Sequence, residues 1–236
     1  MSEKPRGKPR AYHSRKFLDS REARALRILS EYLEPLDRFE KHGVDDTVVF
    51  MGSAQFSSRE DAEAVLDAAR ARGRRSGGGE LKMEQSAWYQ EACTLAFRLT
   101  EWSKALDGGE RRFVVCTGGG PGIMEAVNRG ASEAKGLNVG LTISIPKEQS
   151  DNPYITCELQ VHFHYFFMRK FCFVHLAKAA VPFSGGFGTL DALVRFGVID
   201  AEGLALIYST DSVDDEFDYL TRELTEYSLE TPGATL

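Results

Sequence analysis

Two glycine-rich stretches carry the chemistry this sequence can offer. Thr117-Gly118-Gly119-Gly120-Pro121-Gly122 and Ser184-Gly185-Gly186-Phe187-Gly188-Thr189 each follow an apolar run and open an amphipathic one. Glycine lets the backbone take positive φ and approach a ligand closely. A helix that starts there presents unpaired N–H groups and the positive end of its dipole to an anion. Thr189 adds a hydroxyl. Each turn can equally be a tight crossover that binds nothing, but two in the same topological position favour a phosphate. No G-x-x-x-x-G-K-[ST] is present, and neither turn fits G-x-G-x-x-G, so a mononucleotide fits better than a dinucleotide.

Other reactive residues offer less. Arg169 and Lys170 fall where an apolar strand gives way to a helix, and cations at a helix start oppose its dipole. A solvated helix start is one reading; an anionic ligand such as a phosphate is the other, and the dipole conflict favours it. His162 and His164 share a strand face but have no third ligand at suggestive spacing, so no metal is expected. Cys93, Cys116 and Cys172 sit in apolar stretches and Cys157 stands apart, the pattern of reduced thiols. No serine–histidine or cysteine–histidine motif is recognisable.

The elements around these residues can be read from periodicity. Residues 20–41 have helical spacing, with a kink or break expected at Pro35 and a stop at His42-Gly43. Residues 46–54 read as a buried strand, and Ser58 with Asp61 as a capping box for a helix to about Arg72. Residues 73–82, including Gly77-Gly78-Gly79, read as a loop, followed by a helix over 85–106. Residues 113–136 read as strand, glycine turn and helix, with Gly136 as the stop. A strand follows at 137–146, another at 161–167, a helix from Met168, then strand, turn and helix again from Ala179. A closing helix spans Val213 to Leu229, with Ser212 and Asp215 as its cap. This alternation predicts an α/β, Rossmann-like fold: one mostly parallel sheet with helices on both faces, and ligands beyond the carboxyl ends of the strands.

Composition sets the frame. A chain of 236 residues with 42% hydrophobic and 27% charged residues can bury a sizeable core. Residues 20–236 read as one domain behind a basic tail, residues 1–19, expected to be disordered. Net charge is −6, and polynucleotide binding usually needs a basic surplus, so nucleic acid is not an expected partner. No apolar run nears the ~20 residues that span a bilayer, and the amino terminus lacks a secretion h-region, so a cytoplasmic protein with no membrane partner is expected.

TGGGPGIMEAVNRGA, FHYFFMRK and SGGFGTLD, in this order, resemble the Lonely Guy (LOG) family, and VVFMGSA fits the family's opening G-S element. The resemblance runs from Thr47 to Leu236 and is nearer the longer bacterial branch. It implies a phosphoribohydrolase that cuts the N-glycosidic bond of a nucleoside 5′-monophosphate such as AMP, giving free base and ribose 5-phosphate, with no cofactor. It implies that Gly185, Gly186, Gly188, Thr189 and Lys170 hold the phosphate. Gly52, Ser53, Gly118, Gly119, Gly120, Gly122 and Met124 would line the nucleoside, and Arg169 would be catalytic. It also implies a homodimer.

The family's motif ends in a glutamate, a carboxylate able to stabilise positive charge on the sugar. Here that position is Ala192. Asp191 is a neighbour turned about 100° away, which leaves Glu125 as the candidate carboxylate. After Asp191 the sequence resembles the family's far C-terminal stretch, so the chain reads as shortened there. A nucleotide sensor or carrier that keeps the phosphate turns without catalysis is the alternative.

Overall fold

The computed structural model describes residues 10–71, 77–106, 111–143, 152–183 and 208–229. In chain order, α1 is Arg15–Leu18, α2 Arg24–Lys41, β1 Thr47–Met51, α3 Arg59–Ala71 and α4 Gly77–Lys104. Then come β2 Val114–Thr117, α5 Ile123–Glu133, β3 Asn138–Ile143, β4 Gln160–Phe163, α6 Phe166–Leu176, β5 Ala177–Pro182 and α7 Val213–Glu223. The strands form one five-stranded sheet in the order β4-β3-β2-β1-β5, with every pairing parallel. The chain steps outward from β1 to β4 and then returns to pair β5 on the other side of β1. That reversal beside β1 is where an open parallel sheet leaves a crevice at its carboxyl edge. The fold is Rossmann-like, as the alternation predicts.

Both faces of the sheet are covered, and successive strand residues feed opposite cores. Val48, Phe50, Val115 and Val181 join Leu95 and Leu99 of α4, Val127 of α5 and Leu220 of α7. Val49, Val114, Cys116, Val139 and Leu141 join Phe39 of α2 and Met168 and Cys172 of α6. Among the described residues, no helix is long and apolar enough to cross a membrane.

Several boundaries differ from the sequence reading, each for a physical reason. Helix α2 runs unbroken through Pro35, whose ring is buried; the hydrophobic face on both sides of it packs on the sheet and outweighs one lost hydrogen bond. Helix α4 begins at Gly77, so the glycine triplet read as loop is its first turn; a long buried helix tolerates about 1 kcal/mol per glycine at its end. Strand β4 stops at Phe163, and Phe166 and Phe167 already belong to α6. The stop of α5 is Lys135, at φ 55°, rather than Gly136. Its N–H reaches Ser132 O and that of Gly136 reaches Ala131 O, a Schellman closure.

The tail expected to be disordered to residue 19 is ordered from Ala11. A 3-10 turn and α1 form there, and Arg27 donates to Leu18 O and Ser20 O, both at 2.6 Å. The Ser58 cap is as expected: its Oγ accepts from Asp61 N at 3.1 Å and donates to Asp61 Oδ2 at 2.8 Å.

The cysteines divide as their sequence context suggests. Cys93, Cys116 and Cys172 are buried and Cys157 is exposed. Burial pushes the Cys93 and Cys172 thiols up to about 11 and raises Cys116 further. The thiolate is the reactive form, so at pH 8 the folded chain is expected to release one equivalent of thionitrobenzoate from DTNB quickly, from Cys157. The other three should react only on unfolding. Two or more fast equivalents would show that a buried thiol is open to solvent.

Candidate nucleotide site at the carboxyl edge of the sheet

Strands β1 and β2 end side by side, and their turns interlock. Gly52, the residue after β1, packs against Ile123 at the start of α5. Ser53 O accepts from Ile123 N at 3.1 Å, so the first amide of α5 is held by the β1 turn. Gly122 caps α5 at φ 74°, ψ −131°, a conformation open essentially to glycine alone. The hydroxyl of Thr117 donates to Asn128 Oδ1 at 2.6 Å and accepts from Gly119 N at 2.9 Å. Two of the amides that the sequence offers to an anion are therefore engaged within the protein.

Met124 lies over Gly118 and Gly120, and the Arg169 guanidinium reaches the same spot: a β-carbon on Gly118 would stand 2.5 Å from Arg169 Nη2 and 2.9 Å from Met124 Sδ. Arg169, the fourth residue of α6, donates from Nε to Leu141 O at 2.6 Å and from Nη2 to Gly118 O at 3.1 Å. Its guanidinium also lies 5.3 Å from the Phe173 ring centroid. These contacts set a permanent positive charge at the ends of β2 and β3, where strand carbonyls leave partial negative charge. Arg169, Gly118, Gly120 and Met124 thus form one cluster, with Gly52, Ser53 and Gly122 adjoining it through Ile123.

The remaining predicted residues lie elsewhere or beyond description. Lys170 is exposed, with its ammonium 4.9 Å from the Phe166 ring centroid. Glu125 accepts from the Tyr89 hydroxyl of α4 at 2.9 Å. His162 Nδ1 lies 3.0 Å from Thr142 Oγ1. Gly185, Gly186, Gly188, Thr189, Asp191 and Ala192 lie outside the described residues. A cavity of about 280 Å³ opens beside the end of β5, lined by Trp88, Glu91, Phe183, Tyr208 and Glu216 among others; the first glycine turn and Arg169 do not line it.

The dipole argument for an anion beside Arg169 and Lys170 is corrected by Glu31 of α2. Its two carboxylate oxygens accept from His164 N at 2.8 Å and Tyr165 N at 3.0 Å, just ahead of α6. The anion that the helix start calls for is thus supplied by the protein itself.

Sequence reasoning also missed the polar network behind the turn. Asn128 Nδ2 donates to Asn138 Oδ1 at 2.8 Å, and Asn152 Nδ2 donates to Asn128 Oδ1 at 3.0 Å. Asn138 Nδ2 reaches Tyr154 O at 3.0 Å. These three asparagines are buried and pin residues 152–156 beside the glycine turn. The available signal was Asn128 itself, an amide at a core-facing position of α5.

Residues 103–201 match the model of the SLOG cluster4 family. No curated protein matches the chain. Among solved structures, the chain is similar to one described as the X-ray structure of TM1055, a structural-genomics target. The two share 19% identity over 75% of this chain and 99% of that one, with a TM-score of 0.42.

Proposed function

We propose, from the premise that this chain is a Rossmann-like protein of the Lonely Guy type with its SLOG region at residues 103–201, that it is a nucleoside 5′-monophosphate phosphoribohydrolase. Its substrate is an AMP-like nucleotide, and water replaces the base at C1′ to give free base and ribose 5-phosphate. The observation that carries this reading is Arg169, whose guanidinium is fixed between Leu141 O and Gly118 O on the first glycine turn. A rigid cation there meets a phosphorylated sugar without reorganising. As the C1′–N bond breaks, positive charge grows on the ribose, and the Glu125 carboxylate at the start of α5 stabilises it.

Incubating the full chain with AMP and separating the products by chromatography tests the reading; equal amounts of free base and ribose 5-phosphate support it. One observation favours the second reading, a nucleotide sensor: Ala192 stands where the family's motif has its glutamate. Calorimetric binding of AMP with no base released would select that reading.

We also place a homodimer on the face shared by α2 and α6. Leu26, Leu29 and Leu33 of α2 are 46%, 51% and 52% exposed, and Phe167 and Val174 of α6 are 50% and 77% exposed. Leu26, Leu29 and Leu33 repeat at the three-and-four spacing of a two-helix seam, whereas Leu36 packs into the core. The amino half of α2 is net positive, with Arg24 and Arg27 against Glu31, whereas the carboxyl half is net acidic, with Glu34, Asp37 and Glu40 against Arg38 and Lys41. A second copy lying antiparallel brings the opposite charges together, which a two-fold axis permits. Sedimentation is expected to give twice the chain mass, and Leu29→Glu with Leu33→Glu the single mass. A wild-type monomer at micromolar concentration would remove this assignment.

A further inference from the structure

We propose that Tyr89 is a positioning residue for the hydrolysis, acting by holding the Glu125 carboxylate in one orientation in the first turn of α5; this inference rests on the hydrolase reading above. Tyr89 is 3% exposed and belongs to the core cluster that includes Ala92, Cys93 and Ala126. Its ring is therefore locked by packing, and its hydroxyl is a fixed donor rather than a mobile one. That hydroxyl donates to Glu125 Oε1 at 2.9 Å. The second oxygen, Oε2, has no partner among the described residues. Glu125 sits in the first turn of α5.

The pair is itself braced. Arg129, one helical turn beyond Glu125, holds Glu133 Oε1 at 2.8 Å, and its positive charge acts on the Tyr89 oxygen. A cation beside the phenol oxygen and a carboxylate ahead of its hydrogen orient the O–H toward Glu125. Burial and the Glu125 charge both push the Tyr89 hydroxyl far up, so it remains a donor throughout the working pH range.

The reaction this serves balances without a further reagent. The C1′–N bond breaks with its electron pair leaving on the base, which takes up a proton. Water forms the new C1′–O bond and gives up a proton. A carboxylate that stabilises the ribosyl cation must not swing away as charge develops, and Tyr89 supplies that restraint. A tyrosine serving only to satisfy a half-buried carboxylate would affect stability and leave turnover untouched, so turnover distinguishes the two roles.

The test is a double-mutant cycle on the full chain with AMP as substrate. Tyr89→Phe keeps the ring and removes the donor; it is expected to lower kcat about tenfold while KM stays within about twofold. Glu125→Gln is expected to lower kcat about 100-fold, and the double variant should be no slower than Glu125→Gln alone. An unchanged kcat in Tyr89→Phe, or losses that multiply in the double variant, would overturn the inference while leaving the hydrolase reading intact. A wild-type chain that binds AMP and releases no base overturns the hydrolase reading. That result overturns this role for Tyr89 as well, and it is told apart from a failure of the inference alone by the wild-type chain's own base release. A wild-type chain that neither binds nor cleaves AMP overturns both.

Discussion

Arg169→Ala is expected to cut the release of free base from AMP by about 10²–10³-fold, the usual effect of removing one preorganised electrostatic group from an active site. The expectation comes from how the guanidinium is held. Two carbonyls, Leu141 O of β3 at 2.6 Å and Gly118 O of the turn after β2 at 3.1 Å, fix the fork before any ligand arrives. Alanine removes the charge and also leaves those strand-end carbonyls without their donor.

Arg169→Lys separates the two contributions. Lysine keeps a positive charge but cannot span both carbonyls with a planar fork, so it should recover only a small part of the rate. Near wild-type base release by Arg169→Ala, measured chromatographically under saturating AMP, would take the cation out of the chemistry. Full rescue by Arg169→Lys would show that charge alone matters and that the two-strand anchorage is incidental.

The sequence made the sheet legible because its strands are buried on both faces, and continuous apolar, valine-rich runs such as Val48-Val49-Phe50 and Val114-Val115-Cys116 leave little else to form. It made the first glycine turn legible for the same reason, since glycine and proline after such a run can only be a tight exit toward a helix. What it hid were long-range pairings. Glu31 lies more than 130 residues from the His164 and Tyr165 amides it caps, and nothing in its local context distinguishes it from the neighbouring exposed acids. Tyr89 has no place in the sequence reading; only the fold shows that its hydroxyl ends on Glu125.

At the start of α6, α2 packs alongside and Glu31 supplies a carboxylate, a neighbour that local sequence does not reveal. Helix boundaries failed where cooperative packing overrode a local breaker, at Pro35 and at Gly77-Gly78-Gly79.

The junction between the β1 turn and α5 is where a single methyl group should do the most damage to the fold. Gly122 sits at φ 74°, ψ −131°, and a β-carbon there would lie 2.3 Å from Ser53 O and 2.8 Å from Ala54 Cα. Both are backbone atoms, so no side chain can swing aside to make room. The backbone strain costs about 1–3 kcal/mol, and the overpacking adds about 1–3 kcal/mol more. Gly122→Ala should therefore lower Tm by roughly 10 °C at two to four degrees per kcal/mol. It should weaken AMP binding as well, because relief comes by pushing Ser53 away from Ile123 N and opening the turn that Gly118 and Met124 line.

Gly43→Ala is the matched control. Gly43 has a similar φ of 63°, but nothing lies within 4 Å of its β-carbon position, so it isolates strain from collision. That variant should lose about 1 kcal/mol and bind AMP as the wild type does. If the two variants melt together in parallel scans, the β1 turn does not press on the α5 cap. The interlocked carboxyl edge on which Gly118, Met124 and Arg169 are arranged would then have to be drawn differently.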